Sequence, residues 1–576
     1  MNTTLPSPTI HCNPIGFRPD DPLKRAVMPV TADAMGFLGG TQFQVIRVSE
    51  LVKHALNAPG FREEVTWLEA GYEETPLGRF AVCDLTGLSA RGGYQILCGG
   101  ARSYPFLIYR DAWKRCFRLL LEWYRIAACG VAVPGYHEVC HLDDCRMEDT
   151  GEQVDLVGGW HDAGDLRKWT STMSYVTLAL ADFLEEAPAD LGALGVDADL
   201  VWGQVRRGAE YLLKMIDPQS GLVWHSIASD TDLPNGSGCW TDNIPNSGDE
   251  RGARRDCLLG TADLHVQTLA SLARSLRGRD DALAERLRAA ALRIWNAWQP
   301  LAVEQGGVES LGDAALQLWR TTEDRHYADT LTRGLRVVLD RQVAGPWFGQ
   351  DRLRGYFLRD GTVEGNDGFR RRGGRNLYQF MRYARRLAQA LTLWPHHGDA
   401  ARWRDGLALL LEGCVEPMMQ LSPYRALPAC LCADGDGAPG ARPLPGQLRF
   451  RYFGVEAEGN NCQLAEAGAS LALAARALGQ PRWAAYGQKQ LEWVLGFNPH
   501  EQSMMTGLGY SQAAVFSFYV GQIPGAIING YTGTRDEDTP VLCMNREVNA
   551  MNMEYWSVHT AAFLRALAVL ENERLS

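Results

Sequence analysis

The sequence lacks the features that would take it into or across a membrane. No apolar run approaches the roughly 20 residues that a membrane-spanning helix needs. The first residues, MNTTLPSPTIHCNPIGF, have neither the basic start nor the apolar stretch of a secretion signal. We therefore expect no membrane partner. We expect a cytoplasmic location for the chain as given, and a secreted or periplasmic one if a leader has been removed.

The sequence has fewer basic than acidic residues. The chain has 57 Lys and Arg against 68 Asp and Glu, which gives a formal net charge of -11 at pH 7. This charge repels a phosphate backbone, so nucleic acid is not an expected partner. The proportions of hydrophobic residues (46%) and charged residues (22%) are those of an ordinary globular protein. The composition gives no prediction of the oligomeric state.

A dense disulfide framework is also missing. The 14 cysteines are scattered over 576 residues, unlike those of a small disulfide-linked domain. We expect most of them to remain thiols.

Two regions of different character divide the chain, whose length exceeds what a single hydrophobic core usually supports. Residues 1–108 are rich in turn formers and short extended runs, including 43–48, 79–84 and 93–97, which predicts a small β-sandwich. Residues 109–576 place apolar residues at helical spacing in about a dozen segments. We expect an all-α domain whose helix pairs close into a toroid, with long loops building a cleft on one rim.

The most informative segment is GGWHDAGDLRKW at residues 158–169. Asp162 and Asp165 are separated by Ala163 and Gly164, whose small size permits a tight turn that aims both carboxylates at one water. Inverting glycoside hydrolysis needs such a base, together with a protonated carboxylic acid roughly 6.5 to 9.5 Å away. A surface turn or a Ca²⁺ loop is the alternative interpretation of this segment.

Glu554, in NMEYWSVHTAAFL, is our candidate for the acid. It stands before an apolar helix, and its aromatic neighbours Tyr555 and Trp556 would raise its pKa by excluding water. A simple helix cap is the alternative role. Glu547 in NREVN is the competing acid, because it too follows a loop and precedes the helix.

These segments together resemble glycoside hydrolase family 9, the family of many cellulases. The resemblance is carried by GGWHDAGD, by LGFNPHEQSMMTGLGY around Phe497 and by the spacing of Glu554, Ala562 and Leu564. At the N-terminus, NPIGFRPDDPLKRAV, FAVCDLTGL and GGYQILCGGARSYPFLI resemble the immunoglobulin-like domain that precedes the catalytic domain in one branch.

The resemblance implies a fold and a set of roles. It implies an immunoglobulin-like β-sandwich at 1–108 and an (α/α)6 toroid at 109–576. It also implies an inverting hydrolase of β-1,4-linked glucan, in which Asp165 is the general base, Asp162 helps to hold the water and Glu554 is the general acid.

A structural zinc site is implied as well. In the same branch, a cysteine before a glycine, a later Cys-His pair and a histidine beside DAGD hold zinc, which carries over to Cys129, Cys140, His141 and His161. Two thiolates and two imidazoles suit a closed tetrahedral Zn²⁺ shell that leaves no place for a reacting water. His137 is the alternative fourth ligand. Separate core cysteines and hydrogen-bonded histidines are the other interpretation.

The match to cellulases of the family departs after Tyr510, where a paired histidine and arginine usually grip the sugar. This chain has SQAAVFSFYVGQ there. Exo-acting hydrolysis of short oligosaccharides, by a β-glucosidase or a β-glucosaminidase, is therefore an alternative. Aromatic rings stack on sugars, and the candidates for this role are Trp160, Trp240, Tyr510, Phe516 and Trp556, with Trp169, Trp224 and Tyr519 as further members of the set.

Other classes of function make different demands on the same residues. A non-catalytic carbohydrate-binding protein would not need two aspartates on one water and a distant acid. A catalytic zinc usually has three protein ligands, whereas four candidates are present here. Calcium is a further possible ion, for which the acidic loop at 536–538 offers carboxylates, although solvated surface charge explains that loop equally.

Overall fold

The computed structural model describes residues 9–30, 42–48, 65–227, 240–255, 259–365, 375–434, 440–454, 459–515, 517, 522–534, 536–542 and 551–575.

The N-terminal region is rich in sheet. Its strands follow the hydrogen-bonded order β1-β4-β3-β2-β5-β6, and β7 pairs with β5. The long strand β3 pairs with β2 through its first half and with β4 through its second half. Alternate residues such as Phe43, Val45, Tyr94 and Ile96 are buried in a separate apolar cluster beneath the sheet, as the period of two along a strand requires. The strands are β1 (Arg25–Pro29), β2 (Gln42–Val48), β3 (Val65–Thr75), β4 (Gly78–Asp84), β5 (Gly92–Cys98), β6 (Ala101–Arg102) and β7 (Phe106–Ile108).

The rest of the chain is mainly helical. It packs around one large apolar core that includes side chains from every long helix. The helices are α1 (Lys114–Ile126), α2 (Thr170–Glu186), α3 (Ala198–Lys214), α4 (Leu259–Ser275), α5 (Asp281–Gly306), α6 (Gly312–Thr322), α7 (Arg325–Asp340), α8 (Asn376–Leu393), α9 (Ala400–Leu410), α10 (Glu416–Gln420), α11 (Asn461–Leu478), α12 (Arg482–Val494) and α13 (Ser557–Leu575).

Alternate helices in the sequence lie side by side and run in the same direction. Near the start of α2, the Ser174 hydroxyl lies 2.8 Å from His265 Nδ1 near the start of α4. At the other end of the same two helices, Arg274 pairs with Glu185. The N-terminal parts of α2 and α4 contact each other, and so do their C-terminal ends, so the two helices are parallel. The intervening α3 runs in the opposite direction and connects them.

Other helices that are not consecutive in the sequence also pack against each other. Helix α13 packs against α2 and α11, α4 packs against α6, and α8 packs against α11. At the far ends of α2, α11 and α13, Glu186 binds both Arg476 and Asn572. The starts of α2 and α13 therefore lie at one end of the helical domain.

A chain of buried ion pairs crosses the middle of these helices, and we call it the central charge network. Arg565 pairs with Asp182 at 2.6 Å and with Glu466 at 3.0 Å. Glu466 also pairs with Arg385, and Asp313 accepts two hydrogen bonds from Arg386. Paired charges are the only charges that such an interior tolerates, so these residues fix the relative rotation of the helices that carry them.

Short strands outside the helices shape the segments between them. The order β8-β11-β10-β9 brings residue 169, at the start of α2, beside the loops at 146–147, 226–227 and 252–254. The remaining strands form a hairpin and a three-stranded sheet. These strands are β8 (Arg146–Met147), β9 (Lys168–Trp169), β10 (Ser226–Ile227), β11 (Gly252–Arg254), β12 (Leu358–Arg359), β13 (Thr362–Val363), β14 (Cys430–Ala433), β15 (Arg442–Pro443) and β16 (Leu448–Arg451).

Among the described residues, none of the helices combines the length and the apolar character that crossing a bilayer would require.

Candidate functional site

The segment that carries the two aspartates forms a tight turn ahead of α2. The Asp162 amide donates to the Arg167 carbonyl at 2.7 Å, and the Leu166 amide donates to the Ala163 carbonyl at 3.1 Å. Leu166 adopts a left-handed conformation with φ of 65°. The turn that the small residues predicted is therefore present, and both carboxylates belong to it.

Glu554 lies on the facing segment, directly before α13. Trp556 pairs with Ala163 through a backbone bridge, and the Ser557 amide donates to the Asp162 carbonyl at 2.7 Å. Behind it, Tyr555 bridges to Ile528. The end of the chain is thus fastened to the aspartate turn, which brings all three carboxylates into one site.

Each carboxylate has defined partners. Asp162 accepts a hydrogen bond from the Ser557 hydroxyl at 3.0 Å. Glu554 accepts one from the indole Nε1 of Trp556 at 3.1 Å. Asp165 accepts one from the backbone amide of Arg167 at 3.3 Å and lies 3.3 Å from the Arg167 guanidinium.

Burial gives Glu554 a different pKa from that of a surface glutamate. Loss of water and the charge of Asp165 raise the pKa of Glu554 to about 8, although the hydrogen bond from Trp556 lowers it. Burial also raises the pKa of Asp165, and the charge of Arg167 opposes that rise. The pKa of Asp162 is raised to about 8 by burial and then by Asp165. A group with the raised pKa of Glu554 carries its proton near neutral pH, as a general acid requires.

Two arginines of the site were not among the residues singled out from the sequence. Arg167 contacts Asp165 directly. The guanidinium of Arg251 donates to the Asp144 carboxylate and to the Leu166 carbonyl, so it supports the turn from behind. The position of Arg167, two residues after Asp165, was a sequence feature that could have identified it. Arg251 lies 85 residues from Leu166, and no local pattern marks it.

A second cluster lies next to the carboxylates. The ligand atoms of Cys129, Cys140, His141 and His161 all lie within 4.8 Å of one another, and the four residues are buried. The Cys129 thiol is 3.5 Å from His141 Nδ1, the Cys140 thiol is 3.6 Å from His161 Nε2, and the two imidazoles approach to 3.4 Å. Two sulfur and two nitrogen donors facing a common centre fit a metal ion in tetrahedral coordination.

The alternative ligand His137 lies at the edge of this cluster rather than within it. Its Nε2 bonds to the Ile126 carbonyl at 2.9 Å and its Nδ1 bonds to the Glu138 carbonyl at 2.8 Å. The indole of Trp240 stacks on His141, with ring centroids 5.8 Å apart and an angle of 13° between the rings. Trp240 thus covers the cluster while remaining partly exposed.

The aromatic candidates have different environments. The structure contradicts the prediction that Trp160 contacts sugar. Its side chain is completely buried, and its Nε1 donates to the Tyr124 carbonyl and to Gln204. Trp556 is partly exposed beside Glu554. Tyr510 is 57% exposed and stacks on Tyr104 of the N-terminal region. Phe516, Tyr519 and the competing acid Glu547 lie outside the described residues.

Asp536 and Glu537 of the acidic loop at 536–538 are exposed, as solvated surface charge requires. Asp538 is buried, and its carboxylate accepts hydrogen bonds from the Tyr452 and Phe453 amides. Arg442 and Arg451 lie within 4 Å of the same carboxylate. These partners account for the burial of the Asp538 carboxylate. The described residues include another acidic group, formed by Asp143, Asp242 and Asp249.

A separate cavity of about 460 Å³ opens where α4, α6 and α8 begin and α5 ends. Its lining is polar and includes Asp263, Glu309, Gln379 and Arg382, with Trp298 among the apolar members. None of the three carboxylates discussed above lines it.

Comparison with solved structures identifies the class of fold. A metagenome-derived endoglucanase of glycoside hydrolase family 9 superposes with a TM-score of 0.68 at 21% identity, covering 98% of this chain and 99% of that one. A zinc-binding triple mutant of the family 9 endoglucanase J30 gives a TM-score of 0.66 at 20% identity, covering 96% and 99%. The sheet-rich N-terminal region and the helical domain thus have the fold of these proteins throughout.

The sequence comparisons show a similarity to one family over part of the chain. The glycosyl hydrolase family 9 model matches residues 113–360. A cellodextrinase from Butyrivibrio fibrisolvens is 28% identical over 173 residues, which is 27% of this chain and 31% of that protein. Endoglucanase 19 from Oryza sativa subsp. japonica is 29% identical over 171 residues, which is 29% of this chain and 31% of that protein. The match thus spans about a third of each curated relative. Residues 113–360 of this chain thus resemble glycosyl hydrolase family 9.

Proposed function

We propose that the protein hydrolyses β-1,4-linked glucan chains with inversion, on an (α/α)6 toroid at 109–576 that follows an immunoglobulin-like domain at 1–108. The observation that supports this function best is the backbone pairing of Ala163 with Trp556, which sets the two aspartates opposite Glu554. The names of the relatives, a cellodextrinase and an endoglucanase, favour cellulose-type substrates.

The reaction is a single displacement at the anomeric carbon. Asp165 takes a proton from a water that Asp162 helps to hold, and the resulting hydroxide forms a bond to that carbon. The bond to the leaving oxygen breaks as Glu554 transfers its proton to it. Asp165 ends protonated and Glu554 ends ionised, and exchange of one proton with solvent restores both.

Partly exposed aromatic residues supply the surfaces on which sugar rings stack. We assign this role to Trp556 and Tyr510, and to the outer face of Trp240, while Trp160 is left in the core. Hydrolysis of cello-oligosaccharides of two to six units, with product sizes followed over time, distinguishes endo from exo attack. The same assay on amino-sugar oligosaccharides tests the β-glucosaminidase alternative.

The stereochemical outcome tests the mechanism. Proton NMR of the first-formed product should show the α-anomer from a β-linked substrate. Asp165→Asn and Glu554→Gln should each reduce kcat by at least about 1,000-fold, whereas Asp329→Asn, a change at an exposed helical position, should leave it unaltered. Retention of configuration, or unchanged activity in both active-site variants, would refute the assignment. Sugar binding without turnover in the unaltered protein would instead favour a carbohydrate-binding role.

We assign a structural zinc ion to Cys129, Cys140, His141 and His161. Bound there, the ion would hold the segment of His161 and therefore the neighbouring Asp162, with all four coordination positions filled by protein. Metal analysis of the purified protein should give one zinc per chain. Cys140→Ser should abolish this content, while Cys414→Ser, a change at a buried cysteine far from the cluster in sequence, should retain it.

A further inference from the structure

Arg167 contacts the carboxylate of Asp165, the proposed base, with both its backbone and its side chain. Its backbone amide lies 3.3 Å from Oδ1 of Asp165, and its guanidinium Nε lies 3.3 Å from Oδ2 of the same carboxylate. One residue thus contacts both oxygens. Because each carboxylate oxygen has two lone-pair sites, this arrangement still leaves a position for a water.

The backbone around Arg167 is fixed on both sides. Its carbonyl accepts the Asp162 amide at 2.7 Å, which closes the turn. The next residue, Lys168, belongs to β9 and is fully buried, with its Nζ bonded to the Leu156 and Gly158 carbonyls and paired with Asp144. The Arg167 side chain is itself buried. It therefore cannot swing between solvent and the carboxylate as a surface arginine would.

The contact between Arg167 and Asp165 affects the pKa of the aspartate. Burial raises the pKa of Asp165, and Arg167 contributes the largest opposing influence, followed by backbone hydrogen bonds and the more distant Arg251. The titratable groups around Asp165 include Glu554 on the facing segment and Asp162 on the same turn, and the charge of Asp165 raises the pKa of both. A base beside two other carboxyl groups needs a cation if it is to remain ionised.

We propose that Arg167 is the positioning residue of the general base, which orients the Asp165 carboxylate toward the water and keeps it ionised. This inference rests on the proposed function, in which Asp165 is the base. Arg167 acts through Asp165 and does not itself contact the reacting atoms.

The experiment compares Arg167→Gln and Arg167→Lys with the unaltered protein on cellotetraose between pH 4 and 9. Arg167→Gln should lower kcat by about 10-fold to 100-fold with little change in KM, since orientation of the base is lost while the sugar contacts remain. The acidic limb of kcat/KM should move to higher pH by about one unit. Arg167→Lys, which keeps the charge but not the geometry of the guanidinium, should restore the position of that limb and only part of kcat.

Arg206→Gln is the matched control, because Arg206 is an exposed arginine on α3 whose loss should change neither quantity. If Arg167→Gln leaves kcat within twofold and the acidic limb in place, the inference is wrong. If Arg167→Gln fails to fold, Arg167→Lys decides, because a role in structure alone would leave kcat unchanged once the variant is folded. Failure of the unaltered protein to hydrolyse the substrate, or full activity of Asp165→Asn, would overturn the proposed function instead.

Discussion

The Ser557 hydroxyl donates to the Asp162 carboxylate at 3.0 Å, although 395 residues separate the two in the chain. The backbone of the same serine donates to the Asp162 carbonyl. Ser557 is the first residue of α13 and comes three positions after Glu554. It therefore couples the position of Asp162 to that of Glu554.

Replacement of this serine should affect activity more than stability. Ser557→Ala removes one hydrogen bond to a buried carboxylate, which costs about 1 to 3 kcal/mol, and frees Asp162 to rotate. We expect kcat to fall by about 10-fold to 100-fold, with the fold retained in circular dichroism. Ser470→Ala removes a buried hydroxyl bonded within α11 and should leave kcat unchanged. Full activity of Ser557→Ala would show that Asp162 needs no partner on α13.

The raised pKa of Glu554 predicts how activity and stability should change with pH. In its proposed role as general acid, Glu554 must be protonated, so kcat/KM should fall as the pH rises through about 8. The folded protein holds this proton more tightly than the unfolded chain, whose glutamate has its ordinary pKa of 4.5. Stability from this group is therefore complete below pH 4.5 and is lost as the pH rises toward 8.

Glu554→Gln provides the measurement of this linkage, because glutamine keeps the shape but does not ionise. The stability of this variant relative to the unaltered protein should increase between pH 4.5 and 8, by on the order of 1 to 4 kcal/mol. Urea unfolding at four pH values within this range gives the difference directly. A difference independent of pH would mean that Glu554 ionises normally in the folded protein.

The fluorescence of Trp240, which stacks on His141, should depend on whether the proposed zinc ion is bound. Removal of the metal with a chelator should change the tryptophan emission, and it should lower the free energy of unfolding by roughly 3 kcal/mol or more, because the buried thiols lose their common partner. Trp240→Phe should remove the spectral change but keep the loss of stability. Chelation without effect on stability would leave the four residues as ordinary members of the core.

The local backbone geometry of the site could be predicted from the sequence because it follows a short motif. The aspartate turn was predicted from two small residues between Asp162 and Asp165. The N-terminal strands were predicted from short extended runs between turn formers, and those at β2, β4 and β5 are present. The family resemblance was confirmed by the comparisons.

Features that depend on distant contacts could not be predicted. The position of Trp160 in the aspartate motif suggested a contact with the sugar. Instead its indole lies in the core, where its Nε1 donates to the Tyr124 carbonyl and to Gln204. Asp538 belongs to an acidic run, yet two arginines from other elements neutralise it. In both cases the deciding partners come from other parts of the chain.

Tyr510 and Tyr104 form a parallel stack between the helical domain and the N-terminal region, with ring centroids 5.1 Å apart and an angle of 6° between the rings. If Tyr510 binds sugar, Tyr510→Ala should raise KM for long oligosaccharides several-fold and leave kcat unchanged. Tyr104→Ala should have a smaller effect in the same direction, because it removes the support of the ring. Trp67→Ala, at an exposed aromatic on β3, is the control. Equal KM values in all three variants would remove Tyr510 from the binding surface.

The central charge network predicts an asymmetric response to mutation. Arg565→Ala leaves Asp182 and Glu466 buried without their common partner, which should cost about 3 to 5 kcal/mol in the free energy of unfolding. Arg325→Ala breaks an ion pair with Asp329 whose arginine is 91% exposed, and it should cost less than about 1 kcal/mol. The triple variant Asp182→Asn, Glu466→Gln, Arg565→Met removes both unpaired carboxylates, and Arg385 keeps Asp313 as a partner at 3.5 Å, so stability should partly return. Equal costs for Arg565→Ala and Arg325→Ala would mean that water reaches the network and screens its charges.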